Sequence, residues 1–249
     1  MKTPLLPIDI LSIYKNSLGD LLPLPKRMAK CTPDTFSSIF NIAKEVKSKG
    51  GKLILSDLFR SYEMQMQSHN DYISGKKKAF SPPPGGSFHE SGRAFDLDLS
   101  AIKIPLSEFW SIAKKYGVVP IIDKPNKGTS EAWHFECRAS HQIVYNYYLN
   151  GNGTNLTPYK AAAASAILTV GVQVDLFEEN QKQAMIQCNL IRLGKILGNI
   201  DGNIGKKTQA ALAEFGIKYS PSHIDNILIE TENLVQEKFS KEYPTAIIS

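Results

Sequence analysis

Apolar and polar positions alternate with different periods along the first 150 residues, and these periods predict where helices begin and end. A helix is predicted to start at Thr32, whose hydroxyl precedes proline at the first helical position, and to end at Gly50 and Gly51. The apolar positions that this pattern directs inward are Phe36, Ile39, Phe40, Ala43 and Val46. A polar helix is predicted over residues 61–73, and Ser107 is predicted to cap a further helix over residues 107–115.

Short runs with strand character separate these helices. Residues 52–56 and 118–122 are apolar and lie between turn signals, and residues 94–99 alternate apolar with acidic side chains. Helices and strands that alternate irregularly predict an α+β fold, with a small, mostly antiparallel sheet and flanking helices.

The pattern changes at Asn150. Residues 151–155 read G-N-G-T-N, which is typical of turns, and no later segment is predicted as a strand. We therefore expect a first domain over residues 1–150, a linker with one helix over residues 151–174, and a small all-α domain over residues 175–249.

Composition and charge exclude several classes of protein. An apolar fraction of 42% with 21% charged residues is ordinary for a globular protein, and the net charge of +5 is spread along the chain. The densest basic run, residues 76–78, is interpreted as a solvated loop face, because no aromatic residues or groove-reading helix accompany it. Nucleic acid is therefore not an expected partner.

Two further features concern cysteines and membranes. Cys31, Cys137 and Cys188 cannot all pair within one chain and lack C-x-x-C spacing, so buried thiols are expected. Prolines and an aspartate interrupt the apolar run at the N-terminus, which predicts no Sec signal, and residues 161–174 are too short and too polar to span a bilayer. A membrane is not an expected partner.

The most informative segment is residues 87–96, which read S-x-H-x-x-G-x-A-x-D. His89 and Asp96 have six residues between them, and Gly92 is placed to make the turn that separates them. The strand period after Gly92 puts Asp96 and Asp98 on one face and Phe95 on the other. Asp98 is open to two interpretations, a support for a metal ligand or a solvent-facing carboxylate.

A second segment, residues 131–137, matches the first in chemistry. His134 alternates with aromatic neighbours as in a strand, and Glu131 lies at the entrance of that strand. Two imidazoles and one carboxylate leave the fourth tetrahedral position of a zinc ion for water, and a nearby carboxylate that is not a ligand can accept a proton from that water. This set of residues predicts hydrolysis. The remaining histidines are interpreted as structural or solvated, namely His69, His141 and His223.

Together the two segments resemble the zinc D-alanyl-D-alanine carboxypeptidase family. That family includes VanY- and VanX-type enzymes and several phage endolysin peptidases, and it shares a fold with lysostaphin and hedgehog. The resemblance implies that His89, Asp96 and His134 bind Zn²⁺ and that Glu131 is the general base.

The same resemblance implies a substrate-binding set. Arg60 follows the predicted strand over residues 52–56 and matches the family arginine that binds a substrate carboxylate, a role suited to a guanidinium that stays charged. Gln65 fits the family pattern R-S-x-x-x-Q, and Ser87 matches the serine two positions before the first ligand. Leu58 and Phe59 stand where the family has glycine and tyrosine.

Residues 201–211 carry a second resemblance. Their pattern D-G-x-x-G-x-x-T-x-x-A is similar to the peptidoglycan-binding module built of three helices. Asp201 and Gly202 are expected to form a tight turn, with Gly205 at a close backbone approach. A helix from Lys206 or Lys207 is expected to carry Ala211, Leu212 and Phe215 inward. A turn of this kind between helices needs no ligand, so a purely structural role stays open.

These observations predict a zinc-dependent peptidase that hydrolyses peptidoglycan stem peptides and is held on the wall by its C-terminal module. Both a D-alanyl-D-alanine carboxypeptidase and an L-alanyl-D-glutamate endopeptidase of the endolysin kind fit. The alternative is a non-catalytic wall-binding or accessory protein that retains a peptidase scaffold. We expect a monomer that acts outside the cytoplasm, released by phage lysis or exported by a non-classical route.

Overall fold

A computed structural model describes residues 2–243, which form two compact units. The sheet unit comprises Pro4–Pro83 and Ser87–Arg138. The described part of the helical unit comprises residues 139–243, together with residues 2–3 and the short segment Pro84–Gly86. The domain limits predicted from the sequence, 1–150, 151–174 and 175–249, stay a prediction.

The sheet unit is built on eight short strands. They are β1 (Leu6–Pro7), β2 (Leu11–Lys15), β3 (Leu21–Pro23), β4 (Lys30–Cys31), β5 (Leu55–Asp57), β6 (Ala94–Leu97), β7 (Val119–Pro120) and β8 (His134–Glu136). Strands β1 and β4 pair with each other, and the others form one sheet in the order β3-β2-β5-β6-β8-β7. All neighbours in this sheet are antiparallel except β2 and β5. The α+β fold with a mostly antiparallel sheet is therefore confirmed.

Three helices belong to the same unit: α1 (Pro33–Ser48), α2 (Tyr62–Ile73) and α3 (Leu106–Lys115). Thr32 is the N-cap residue of α1, as predicted, and the Ser61 hydroxyl accepts a hydrogen bond from the Met64 N–H at the start of α2. The prediction that Ser107 caps α3 is wrong. Pro105 occupies the cap position, and the helix starts one residue before Ser107 with the buried Leu106.

The core of the sheet unit corrects the predicted inward face of α1. Ile39, Ile42 and Val46 are buried, whereas Phe40 is 62% exposed. A face that follows positions 39, 42 and 46 turns residue 40 away from the sheet, because each residue advances the helix by about 100°. Against this face pack the buried side chains of the central strands and of α3, among them Leu55, Phe95, Phe109 and Phe135.

The strands differ most from the sequence prediction. The first 31 residues contribute β1 to β4, none of which the hydrophobic pattern predicts, because two-residue strands and strands exposed on most positions carry no clear alternation. The strand predicted over residues 52–56 is formed by Leu55–Asp57, and the one predicted over residues 118–122 is reduced to Val119–Pro120.

The helical unit contains α4 (His141–Leu149), α5 (Pro158–Thr169), α6 (Gln181–Arg192), α7 (Lys206–Ala213) and α8 (Ile224–Lys238). Its described residues form no strand, as the sequence predicts. Across residues 2–243, no helix combines the length and the apolar character that spanning a bilayer requires.

The D-G turn of the helical unit is fixed by one side chain. The Gln187 Oε1 atom accepts hydrogen bonds from the backbone N–H groups of Asp201 and Gly202, at 3.0 and 2.9 Å. Gln187 also donates from Nε2 to Asp201 Oδ1 at 2.9 Å, and Gly202 has a φ of +76° that favours glycine. Ala211 and Leu212 are buried, and Phe215 is half-buried just beyond the end of α7.

Candidate metal centre

Three side chains from separate segments of the sheet unit meet at one point. His89 lies on a short 3₁₀ helix (Phe88–Ser91), Asp96 on β6 and His134 on β8. The register of β6 and β8 pairs Asp96 directly with His134. One nitrogen or oxygen atom from each of the three residues lies within 4.8 Å of the others, and all three side chains are buried. The structure thus brings together the three predicted ligands as a group that could hold a metal ion.

The turn before β6 positions His89. The Ser87 hydroxyl accepts a hydrogen bond from the His89 N–H at 3.3 Å, and the Ser87 N–H donates to Glu90 Oε2 at 3.2 Å. Gly92 ends this helix with a φ of +65°, and a side chain at Gly92 would place a Cβ atom 2.9 Å from Cys31 Cα. Ser87 therefore caps the helix that carries His89, while its contact with substrate stays a prediction.

Hydrogen bonds fix the orientation of both imidazoles. His89 Nδ1 lies 2.7 Å from the carbonyl oxygen of Leu58, so Nδ1 donates and Nε2 points toward Asp96. His134 Nε2 lies 3.1 Å from Glu136 Oε1, which leaves Nδ1 on the side of Asp96. Glu136 itself accepts a hydrogen bond from Arg138 Nε at 2.6 Å. Each ring thus directs its second nitrogen toward Asp96, the orientation that hydrogen-bonded metal ligands have.

Electrostatics at this point favour a cation. Burial alone lowers the pKa of His134, but the hydrogen bonds with Asp96 and Glu136 outweigh it and raise that pKa to about 10. For Asp96, burial alone raises the pKa, but the charge of His89 and the hydrogen bond from His134 hold that pKa well below its ordinary value. The same anionic surroundings that retain a proton would retain a metal cation, which competes with that proton.

Two buried polar atoms provide a test of whether these residues fit a metal ion. His89 Nε2 and Glu131 Oε1 both lack a hydrogen-bond partner among the described residues. Unpartnered buried polar atoms are costly in a folded protein unless a ligand or a chemical role accounts for them. An ion held by His89, Asp96 and His134 would satisfy the first atom, so the residues fit the group.

Glu131 lies where the chain enters β8. Its backbone has a φ of +65°, and its carbonyl oxygen accepts the N–H of His134 at 3.0 Å, so a tight turn holds it close to that ligand. Burial raises the pKa of Glu131, an effect that the charge of His134 opposes. A half-buried carboxylate with one unpartnered oxygen is suited to accepting a proton.

Arg60 is joined to the centre through two carboxylates. Its Nε and Nη2 atoms each lie 2.6 Å from Asp57 Oδ2, and Nη2 lies 3.7 Å from Asp96 Oδ2. Its Nη1 atom donates to Gln65 Oε1 at 3.1 Å. Asp57 is opposite Asp96 in the pairing of β5 and β6, which explains why Arg60 reaches both acids.

Gln65 is fully buried and links Arg60 to the loop that follows α2. Its Nε2 atom donates to Ser81 Oγ at 3.1 Å and to the carbonyl oxygen of Pro82 at 2.6 Å. Its predicted contact with substrate stays a prediction, and its observed contacts orient Arg60.

Asp57 and Glu136 complete the surroundings of the centre and were not predicted. Their spacing, three residues before Arg60 and two after His134, is the signal by which the sequence could have identified them.

The remaining polar candidates have other surroundings. Asp98 accepts hydrogen bonds from the N–H and hydroxyl of Ser100 and so closes the turn after β6. The expectation of buried thiols is confirmed, since all three cysteines are unpaired and buried. Burial raises the pKa of Cys137 to about 12, which keeps this thiol protonated and poorly nucleophilic.

Comparisons with known proteins give structural neighbours only. No family model matches the chain, and no curated protein sequence does. The LdcB LD-carboxypeptidase, described for its peptidoglycan recognition, is 18% identical with a TM-score of 0.42, over 63% of this chain and 76% of LdcB. The L,D-carboxypeptidase DacB from Streptococcus pneumoniae is 21% identical with a TM-score of 0.34, over 54% of this chain and 85% of DacB. The Zn(II) complex of the D,D-pentapeptidase VanY from a VanB-type resistance cassette is 16% identical with a TM-score of 0.34, over 53% of this chain and 82% of VanY.

Proposed function

We propose that this protein is a zinc-dependent peptidase that hydrolyses peptidoglycan stem peptides. One observation carries the proposal: His89, Asp96 and His134 converge from three segments, and their charges act on Glu131, whose Oε1 atom is buried and unpartnered. Two nitrogen ligands and one oxygen ligand, with a proton acceptor beside them, are the composition of a catalytic rather than a structural zinc site. The choice of peptidoglycan rests on the sequence resemblance at residues 87–96 and 131–134.

The ligand atoms follow from the hydrogen bonds. His89 would bind through Nε2, His134 through Nδ1, and Asp96 through its carboxylate, because the other ring nitrogens are held by Leu58 and Glu136. When bound, zinc polarises a peptide carbonyl and lowers the pKa of water toward about 7.

Glu131 moves the proton in this mechanism. Its carboxylate accepts a proton from the attacking water as the new C–O bond forms at the peptide carbon. It then donates that proton to the nitrogen of the leaving amine as the C–N bond breaks. Burial raises the pKa of Glu131 and so brings it nearer to neutral pH, where a carboxylate can both accept and return a proton.

Arg60 is proposed to hold a carboxylate of the substrate. A guanidinium has five N–H donors, and three of those of Arg60 are directed at Asp57 and Gln65. The two that are left, one on Nη1 and one on Nη2, are the donors proposed to bind a substrate carboxylate. The contacts with Asp57 and Gln65 keep the guanidinium in a fixed orientation. This favours a carboxypeptidase, or an endopeptidase that recognises an acidic residue.

The helical unit is proposed to bind the wall and to raise the effective concentration of the peptidase there. The support is the D-G-x-x-G-x-x-T-x-x-A pattern, whose turn is held by hydrogen bonds to Gln187. The competing function, a non-catalytic accessory protein, is disfavoured by the complete ligand set together with Glu131.

Digestion of purified peptidoglycan by the zinc-loaded protein tests the proposal. We expect soluble products whose masses, read by mass spectrometry, show either loss of a terminal alanine or release of a whole stem. In Glu131→Gln, the rate should fall by about 10²–10⁴-fold because the proton acceptor is lost. Zinc content, measured by plasma mass spectrometry, should be equal in both proteins, since Glu131 is not a ligand. A zinc-loaded parent that releases no product from any wall preparation would favour the accessory protein.

A further inference from the structure

Lys77 differs from its two neighbours in the basic run at residues 76–78. Lys76 and Lys78 are exposed, whereas Lys77 is partly buried. The Lys77 N–H donates to the carbonyl oxygen of Asp71 at 2.9 Å, and the side chain turns back so that Nζ donates to Ser68 Oγ at 2.8 Å. The interpretation of this run as a uniformly solvated face is therefore wrong for its middle residue.

A continuous series of hydrogen bonds joins Lys77 to Arg60. Ser68 Oγ accepts from Ser81 Oγ at 2.9 Å, and Ser81 Oγ in turn accepts from Gln65 Nε2 at 3.1 Å. Gln65 Oε1 accepts from Arg60 Nη1 at 3.1 Å. The loop after α2 thus places Lys77 in the same hydrogen-bonded series of side chains as Arg60.

The charges that act on Lys77 are those of the candidate centre. They belong to Arg60, Asp57, Asp96 and Glu131. Burial is the main influence and lowers the pKa of Lys77, Arg60 lowers it further, and the three carboxylates oppose both.

Among the described residues, no carboxylate forms an ion pair with Lys77, and its ammonium group has N–H donors to spare. Of the three N–H groups of its ammonium, one is directed at Ser68, and within residues 2–243 it forms no ion pair. Arg60, by contrast, already has Asp57 as a counterion at 2.6 Å. A partly buried cation without an anionic partner is stabilised when a ligand supplies one.

We propose that Lys77 binds a second carboxylate of the substrate, in addition to the one assigned to Arg60. This inference rests on the proposed function. It narrows the expected substrates to acidic peptides that carry two carboxylates. Lys77 is thereby a specificity-determining residue on the loop after α2.

Three synthetic peptides test the inference. The parent, L-Ala-γ-D-Glu-L-Lys-D-Ala-D-Ala, carries a D-glutamate α-carboxylate and a terminal carboxylate, and each of the other two has one of these replaced by an amide. Hydrolysis and calorimetric binding are measured with the zinc-loaded full chain. The variants are Lys77→Met, Lys77→Arg, which keeps the charge, and Lys78→Met, which removes an exposed neighbouring charge.

In Lys77→Met, kcat/KM and affinity for the parent peptide should fall about tenfold or more. A fall of that size corresponds to the free energy that a charge-assisted hydrogen bond contributes. For one of the amidated peptides the fall should be less than about twofold, because the group that Lys77 binds is already absent. Lys77→Arg should recover most of the loss, and Lys78→Met should match the parent protein.

The outcomes separate this inference from the proposed function. If Lys77→Met leaves hydrolysis unchanged, or slows it equally for all three peptides, the proposed role of Lys77 is wrong. The proposed peptidase function is then unaffected. Binding that depends on Lys77 without hydrolysis by the parent protein supports Lys77 and contradicts the peptidase. If the parent protein neither binds nor hydrolyses the peptides, both proposals fail.

Discussion

Glu136 shows how much of the metal centre depends on side chains that are not ligands. It is fully buried on β8, accepts from His134 Nε2 at 3.1 Å, and is itself held by Arg138 at 2.6 Å. This carboxylate is the observed partner of Nε2, the nitrogen that has to keep its proton if Nδ1 binds a metal ion. A ligand whose tautomer is set in advance binds a metal ion more tightly than one that must first be reorganised.

We therefore predict that Glu136→Gln weakens zinc binding. The neutral amide stabilises the N–H at Nε2 less than the carboxylate does, and the dissociation constant should rise by about 10–100-fold. Competition with a chromogenic chelator measures this. Glu45→Gln is a matched control, because Glu45 lies on α1 in an ion pair with Lys115 and should leave zinc affinity unchanged. Equal affinities in the parent and in Glu136→Gln would contradict the prediction.

At the scale of elements, the centre is assembled by one turn and one strand pairing. Gly92 connects the helix of His89 to β6, and the pairing of β6 with β8 then sets Asp96 beside His134. The turn needs glycine for two reasons: its positive φ and the 2.9 Å approach of an added Cβ to Cys31 Cα. Only the first reason is visible in the S-x-H-x-x-G-x-A-x-D pattern.

Gly92→Ala is predicted to lower the free energy of unfolding by about 2–4 kcal/mol, from the strained φ and the clash with backbone together. Gly50→Ala is the control, because Gly50 also has a positive φ of +81° but no atom lies within 4 Å of an added Cβ. It should cost only about 1 kcal/mol. Urea unfolding of the zinc-free proteins measures both. If the two substitutions lower the free energy of unfolding by the same amount, the close packing at Gly92 does not contribute to stability.

At the scale of the whole molecule, the proposed catalysis and the proposed wall binding belong to different compact units. The candidate centre lies within the sheet unit, and the module-like pattern lies within the helical unit. A binding unit on the same chain raises the local concentration of substrate without changing the chemistry of the centre. The two activities should therefore be separable by substitution.

We predict that the double variant His89→Ala, His134→Ala still co-sediments with insoluble peptidoglycan, because wall binding is proposed to lie in the helical unit. The bound fraction, measured on gels, should stay within about twofold of the parent protein, since no group of the binding unit is altered. Glu131→Gln provides the comparison, as it keeps the metal ligands while losing the proton acceptor. Loss of sedimentation in the double variant alone would place wall binding at the metal centre instead.

By itself, the sequence determined most helices, the α+β class and the chemical types at the centre. Helical periodicity, capping residues and glycines act over a few positions, so Thr32, Ser61 and Gly92 are interpretable from their neighbours. The motif spacing also identified His89, Asp96 and His134, which the structure brings together, while the role predicted for Glu131 stays a prediction.

Only the tertiary structure decided which groups support that set. The pairing of β2 with β5, the approach of Asp57 and Arg60 to Asp96, and the contact of Lys77 with Ser68 depend on how the fold brings different elements together. Such contacts produce no periodic pattern in the sequence. The sequence of a two-residue strand, or of a lysine in a basic run, is the same whether or not the fold brings a partner to it. Local pattern fixes the elements, and long-range pairing fixes the surroundings in which their side chains react.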